Sequence, residues 1–223
     1  RSMDVVVNAA MSVDGKLSSR RREQIEISGP EDFDRVDRIR REVDAVAVGI
    51  GTVVADDPHL TLDDPDRQGQ RRENGRPPNP ARVVVDSTAR TPPDGRICDD
   101  AAETYVLVSA TAPEDRRQAL REAGAELIVA GEQRADLPAA FEELEASGID
   151  SLLVEGGGEL IFSVVENGLI DRLTVFVGSL VIGGRDAPTL ADGEGFVDGF
   201  PRLSLADVDR VDDGVVLDYI AEN

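Results

Sequence analysis

The run Ser151-Leu-Leu-Val-Glu-Gly-Gly-Gly-Glu-Leu-Ile161 leaves few choices of architecture. An apolar stretch (Leu152, Leu153, Val154) stops at Glu155, and Gly156, Gly157 and Gly158 follow. Glu159 then opens a segment whose apolar residues Leu160, Ile161, Val164 and Val165 share one helical face. Strand, glycine turn and helix start, in that order, belong to an α/β fold. The arrangement suits an anion, because glycine lets the backbone come close and unpaired N–H groups at the helix start point outward. By itself it fits both a phosphate cradle and a plain tight turn. Glu155 stands beside it, placed to hydrogen-bond a polar ligand.

The rest of the chain repeats this alternation. Asp4-Val-Val-Val7 reads as a buried strand, leaving into a polar loop over 8–16 with a turn at Asp14-Gly15. Ser28-Gly-Pro-Glu-Asp32 reads as a helix start, with Phe33, Val36, Ile39 and Val43 as its apolar face. Residues 44–50 form a second strand, with a short helical turn over 51–56. Residues 63–80, rich in Asp, Arg, Gln, Gly and Pro, read as an exposed loop. Further strands fall at 82–86, 104–109, 126–130 and 172–177, and helices at 113–123, 137–147 and 159–167. Residues 205–211 and 215–220 flank Asp212-Asp213-Gly214 as a terminal antiparallel hairpin. The expectation is one α/β domain over 3–223, with a mostly parallel central sheet flanked by helices. Arg1 and Ser2 precede Met3 and read as residues added ahead of the native start.

Composition narrows the function. There are 45 acids against 24 bases, a formal net charge of −21, so nucleic acid and anionic membrane surfaces are poor partners. No run is long enough for a membrane span, and no signal pattern opens the chain, which points to the cytoplasm. The acids are dispersed, and Lys16 is the only lysine. This composition resembles that of proteins from salt-accumulating microbes, where molar salt screens self-repulsion. One cysteine, Cys98, and one histidine, His59, give no disulfide, no metal cluster and no cysteine–histidine nucleophile pair.

In open α/β sheets ligands lie beyond the carboxyl ends of the strands. Those ends are Asn8 and Ala9; 49–56; Asp86, Ser87 and Thr88; Val129 to Gly131; and the glycine turn. Small and polar residues there suit a long phosphorylated ligand. Lys16, retained where lysine is otherwise shed, offers a compact ammonium to hold an anion or pass a proton. Arg40, late in the first helix, has the reach to grip a phosphate or to rest in solvent. Asp56 and Asp57 read either as paired carboxylates or as caps. No nucleophile, base and orienting group assemble, which fits cofactor-driven chemistry.

The chain resembles the archaeal reductases of riboflavin biosynthesis and the reductase half of bacterial bifunctional riboflavin deaminase–reductases. The resemblance runs through Asn8-Ala-Ala-Met-Ser-Val-Asp-Gly-Lys16, Ile27-Ser-Gly29, Arg40 with residues 44–61, Val84-Val-Asp-Ser87, Val154-Glu-Gly-Gly-Gly158, Ile182-Gly-Gly184 and Ala187-Pro188. It implies a dihydrofolate-reductase-like fold, NADPH as hydride donor and a homodimer. The implied substrate is 2,5-diamino-6-(5-phosphoribosylamino)pyrimidin-4(3H)-one, whose ribosyl group is opened and reduced at C1. Carried over, the cofactor contacts are Ala9, Thr52, Asp56, Ser87, Gly156, Gly157, Gly158 and Glu159, with Val129 a weaker one. Thr88 joins them by position, and so does Arg90, which is placed for a 2′-phosphate. Substrate contacts are Lys16, Ser28, Arg40, Asp56, Leu60 and Glu155, with Asn8 added from its strand end. Lys16 or Asp56 assists proton transfer.

Two departures stand out. Leu62-Asp63-Asp64 occupies the stretch where bacterial relatives tend to carry a base, so phosphate binding falls to Arg40 and Lys16. His-x-Glu and Cys-x-x-Cys are absent, so reduction without deamination is expected. Rival readings are a dihydrofolate or pteridine reductase on the same scaffold, and an NADP(H)-binding protein without turnover.

Overall fold

A computed structural model describes residues 2–222; Arg1 of the two-residue lead lies outside them. The strands are β1 (Asp4–Ser12), β2 (Ala45–Gly49), β3 (Ala81–Val85), β4 (Thr104–Val108), β5 (Glu126–Val129), β6 (Ser151–Val154), β7 (Arg172–Gly178), β8 (Leu203–Val211) and β9 (Gly214–Ala221). The helices are α1 (Pro30–Glu42), α2 (Ile50–Asp56), α3 (Pro65–Glu73), α4 (Glu114–Glu122), α5 (Leu137–Ala146) and α6 (Gly158–Glu166). Packing divides the chain into two compact units. The first takes mainly Asp37–Leu153, the second Asp4–Val36 and the chain from Val154 onward.

In the first unit the strand order is β5-β4-β3-β2-β6. Neighbours β2, β3, β4 and β5 pair in parallel, so their carboxyl ends share one edge. Their side chains are near-continuous hydrophobic runs: Ala45, Val46, Ala47, Val83, Val84, Val106, Leu107 and Val108 are all fully or almost fully buried. Strands covered on both faces need that composition. Leu120 of α4 and Ala140 and Leu144 of α5 are fully buried as well.

In the second unit the order is β1-β7-β9-β8, with β1 parallel to β7 and the last three antiparallel. Val5, Val7, Val175 and Phe176 are buried, as are Leu160, Ile161, Phe162 and Val164 of α6. The Phe162 and Phe196 rings meet at 5.1 Å. The α/β class, the mostly parallel strands and the terminal hairpin are as the sequence pattern predicts.

Three local expectations are corrected. Residues 65–73 form α3, where an exposed loop was expected. The helix has no apolar stripe to reveal it; it is anchored through charge instead. Asp64 caps it by accepting from the Asp66 amide, and Pro65 opens it. Arg67 pairs with Asp37 at 2.8 Å. Arg71, 3% exposed, donates to the carbonyls of Pro77, Arg41 and Val43. Desolvation lowers the Arg71 guanidinium to about 10, so it stays charged at neutral pH. Second, β1 continues to Ser12, so Asn8 and Ala9 lie inside the strand, paired with Thr174 and Val175, and do not follow it. Third, Phe33 is 52% exposed, while Asp32 and Asp37 are the buried positions of α1. Each acid is matched there: Asp32 by Arg35, and Asp37 by Arg67 and the amides of Asp63 and Asp64.

Candidate active site

The carboxyl ends of β1 and β7 carry one group of candidates, all in the second unit. After β1 the chain turns tightly, with Gly15 at φ +84°. Ser12 organises the turn: its amide donates to the Lys16 carbonyl, and its Oγ accepts from the Lys16 amide at 3.0 Å and donates to Asp14 Oδ1 at 2.5 Å. Asp14 reaches across to the segment after β7 and accepts from the amides of Ile182 (3.1 Å) and Gly183 (2.7 Å). The Ser12 hydroxyl first, then those amides, stabilise its ionised form and lower it to about 2. Val13 donates to the Leu180 carbonyl, Leu17 to that of Pro188, and Lys16 bridges Thr189. The lysine loop and the Ile182-Gly-Gly184 and Ala187-Pro188 motifs, far apart in sequence, are thus one structure.

Thr189 links this structure to the glycine turn. Its amide and hydroxyl donate to Asp192, whose own amide donates to the Gly158 carbonyl. A Cβ on Gly158 would strike the Thr189 carbonyl and the Asp192 carboxylate, so only glycine fits. Gly156 has φ +116° with open space around its Cα, and the Gly156–Gly157 peptide is cis. Gly157 caps α6 without any side-chain hydrogen bond. Backbone donors therefore stand at the start of a nine-residue helix, chemistry that fits a pyrophosphate. Glu159 occupies the first turn of α6, and Glu155 is half-buried just before the glycines. Ser28 is buried ahead of α1. Asn8 is buried with its Oδ1 accepting from Arg35 Nη2 at 2.8 Å, and Ala9 is buried beside it.

The first unit carries the other group at the shared edge of β2 to β5. Thr52 is half-buried in the first turn of α2, and Asp56 ends that helix. Neighbouring atoms partly desolvate the Asp56 carboxyl and raise it, although the residue's surface is largely exposed. Asp57 is the αL C-cap of α2, and its carboxylate accepts from the Arg96 amide. That is the capping alternative, so the two acids are not a pair. Leu60 is 5% exposed with φ +60°, and Arg40 Nη1 donates to the Thr61 carbonyl at 3.1 Å. After β3, Asp86 is fully buried and accepts from the amides of Arg90 and Thr91 and from the Thr91 hydroxyl. Ser87 Oγ accepts from the Ala135 amide. Thr88 and Arg90 are exposed, Arg90 lining a hollow of about 380 Å³ with Arg116, and Val129 is 46% exposed at the end of β5.

Sequence reasoning passed over Thr189, Asp192 and Arg82, and took Asp86 as a strand end without seeing its role in holding the turn that follows. Arg82, in the middle of an apolar strand, has no exposed surface and binds Asp99 at 2.7 Å. A base inside a hydrophobic run was the available signal. Burial pushes the Asp99 carboxyl up, but donations from Arg82, the Ala101 amide and His59 outweigh it and hold the group below its ordinary value.

Mostly parallel strands, an uncapped glycine turn and polar strand ends are the build of an α/β enzyme that takes its ligands at the strand ends. The chain belongs to the RibD C-terminal domain family, which it matches over residues 4–217. It is 45% identical over 210 residues to the 2,5-diamino-6-ribosylamino-4(3H)-pyrimidinone 5′-phosphate reductase of Archaeoglobus fulgidus, covering 94% of each chain. It is 47% identical over 191 residues to the protein of the same name in Methanothermobacter thermautotrophicus, covering 86% of this chain and 84% of that one. The fold is shared with a pyrimidine reductase-like protein of Corynebacterium diphtheriae at TM-score 0.84 and 21% identity, covering 99% of this chain and 92% of that one. No helix among the described residues is long and apolar enough to cross a membrane.

Proposed function

We propose that this chain reduces the ribosyl group of 2,5-diamino-6-(5-phosphoribosylamino)pyrimidin-4(3H)-one to the ribityl product in riboflavin biosynthesis, with NADPH as the donor. The observation that carries the reading is the joining of the Lys16 loop, the 182–189 segment and the glycine turn into one hydrogen-bonded structure. Kinship with two reductases of that name over most of the chain supports it. When bound, NADPH supplies the hydride to the sugar C1. The glycine turn and the start of α6 hold its pyrophosphate, Thr52 and Ser87 orient it, and Arg90 takes a 2′-phosphate. Lys16, fixed by Ser12 and Asp14, and Asp56, whose raised carboxyl is suited to carrying a proton, serve ring opening. Arg40 and Lys16 hold the substrate phosphate, and Glu155 accepts from its polar groups.

The same reading makes the protein a cytoplasmic homodimer suited to molar salt. The acid excess and the single lysine support the salt preference. Leu205 and Val208, both more than half exposed on the edge strand β8, support association of two copies. The test is loss of NADPH absorbance in molar KCl with the phosphoribosylaminopyrimidinone or with dihydrofolate. Turnover of the first alone is expected. Turnover of dihydrofolate alone overturns the assignment, and NADPH binding without turnover of either moves it to a cofactor-binding protein.

A further inference from the structure

His59 is the only histidine of the chain, and its ring is held on both sides within the first unit. Nε2 lies 2.5 Å from Asp99 Oδ2, and Nδ1 lies 2.9 Å from Thr61 Oγ1. An ionised carboxylate only accepts, so the Nε2 proton belongs to that bond. Nδ1 then meets the Thr61 hydroxyl, which can either donate to it or accept from it. Asp99 is fixed in turn by Arg82, which has no exposed surface. Arg82 Nη1 donates to Asp99 Oδ1 at 2.7 Å and to the carbonyls of Arg96 and His59. Its Nη2 donates to the carbonyls of Asp99 and Ala102, and its Nε to Thr104. At the other end, the Thr61 carbonyl accepts from Arg40 Nη1 at 3.1 Å. A continuous series of bonds therefore runs from a buried guanidinium through Asp99, His59 and Thr61 to Arg40.

Leu60 sits inside that series with φ +60°, a backbone conformation that a branched side chain disfavours. The side chains of His59 and Thr61 join across it. The pair closes a clasp around the one residue in 58–61 that needs external support.

We propose that His59 is a positioning residue for substrate binding: by clasping Thr61 across Leu60 and anchoring to Arg82–Asp99, it sets the pose of Leu60 and Arg40. This rests on the proposed function insofar as Leu60 and Arg40 meet the substrate. Loss of the clasp leaves the cofactor residues Ser87 and Arg90, which have their own supports in Ala135 and Asp86, untouched.

The experiment pairs a spectrum with kinetics. In ¹⁵N-labelled protein the single histidine gives one unambiguous pair of ring nitrogens. Wild type is expected to show a protonated Nε2, and Thr61→Val, which keeps shape and removes the hydroxyl, is expected to shift Nδ1. An Nε2 without a proton, or no shift in T61V, overturns the clasp whether or not the enzyme turns over the proposed substrate. In kinetics, H59A and T61V are each expected to raise KM for the phosphoribosylaminopyrimidinone about threefold to tenfold, the worth of one hydrogen bond, with kcat and NADPH affinity near wild type. The double variant is expected to match the singles, since both break the same clasp. Unchanged KM in folded variants, or additive losses, overturns the positioning role. If wild type turns over only dihydrofolate, the functional reading fails while the spectrum still decides the clasp.

Discussion

Asp212 and Glu31 cap each other across 181 residues of sequence. The Asp212 carboxylate, in the turn between β8 and β9, accepts from the amides of Gly29, Glu31 and Asp32 at the start of α1. Glu31 Oε2 returns the bond by accepting from the Asp212 amide at 2.7 Å. This is the logic of a capping box, with the cap supplied by the far hairpin instead of the preceding residue. It ties the terminal hairpin to the helix within the second unit. Gly29 is required for it: a Cβ there would come within 2.7 Å of the Asp212 side chain.

Asp212→Ala is expected to cost about 1–2 kcal/mol, the upper range for a lost N-cap, because three amides lose their acceptor together. Denaturant unfolding followed by circular dichroism measures it. A change below experimental error shows that water replaces the carboxylate without penalty.

A second prediction concerns Arg82. Replacing it with methionine keeps most of the volume but removes the guanidinium's donations to Asp99 and to four carbonyls. The expected loss is about 1–3 kcal/mol, the penalty of buried carbonyls left without a partner, because Asp99 itself is 39% exposed and is rehydrated. A folded R82M protein with wild-type stability would show that the loop 96–102 rearranges to satisfy itself.

Much of this was legible in the sequence. Every strand that begins or ends near a hydrophobic run was found, since β2, β3, β4 and β6 are buried valine, alanine and leucine with little else. Of the motifs that carry the family likeness, those at 8–16, 154–158, 182–184 and 187–188 are bound together in the second unit, through Asp14 and Thr189. What failed did so for physical reasons. α3 is held by Arg67 and Arg71 reaching to carbonyls and a carboxylate, and such partners leave no periodicity. Asp37 is buried because its partners, Arg67 and the amides of Asp63 and Asp64, come from elsewhere, which a helical wheel does not contain. The Asp212 cap is a long-range contact written in a turn that reads as surface.

Asp14 gives a pH prediction. Its carboxyl lies at about 2, below the ordinary 3.8, because Ser12 and the Ile182 amide favour the ionised form. A depressed acid contributes stability that is complete above 3.8 and is lost as pH falls towards about 2. Thermal midpoints of wild type and Asp14→Asn, compared between those values, are expected to converge as the pH drops. Parallel curves would remove Asp14 as the group responsible. At neutral pH the same variant frees the Lys16 loop from the 182–184 segment, and kcat/KM is expected to fall about tenfold or more.

Cofactor choice tests Arg90. Its backbone is fixed by Asp86, and its side chain lines the same hollow as Arg116. Arg90→Ala is expected to weaken NADPH about tenfold, the worth of a charge-assisted hydrogen bond, and to leave NADH binding unchanged. Fluorescence titration with both nucleotides measures it. Equal weakening of the two would place Arg90 away from the 2′-phosphate.

Salt provides the last prediction, and the hairpin shows why. Asp207 stands opposite Asp218 across β8 and β9, with Asp209 two residues on. Asp207 first, then partial desolvation and Asp218, raise the Asp209 carboxyl: its charge is opposed by its neighbours. Summed over a chain with net charge −21, such repulsion destabilises the compact state wherever the screening length spans neighbouring acids. That length is about 10 Å at 0.1 M salt and about 3 Å at 1 M, so molar KCl removes the term. The thermal midpoint is expected to rise with KCl. Asp209→Asn is expected to raise the low-salt midpoint by about 1–2 °C and leave the molar-salt midpoint unchanged. If sucrose raised the midpoint as KCl does, exclusion from the surface would account for the effect and charge screening would not.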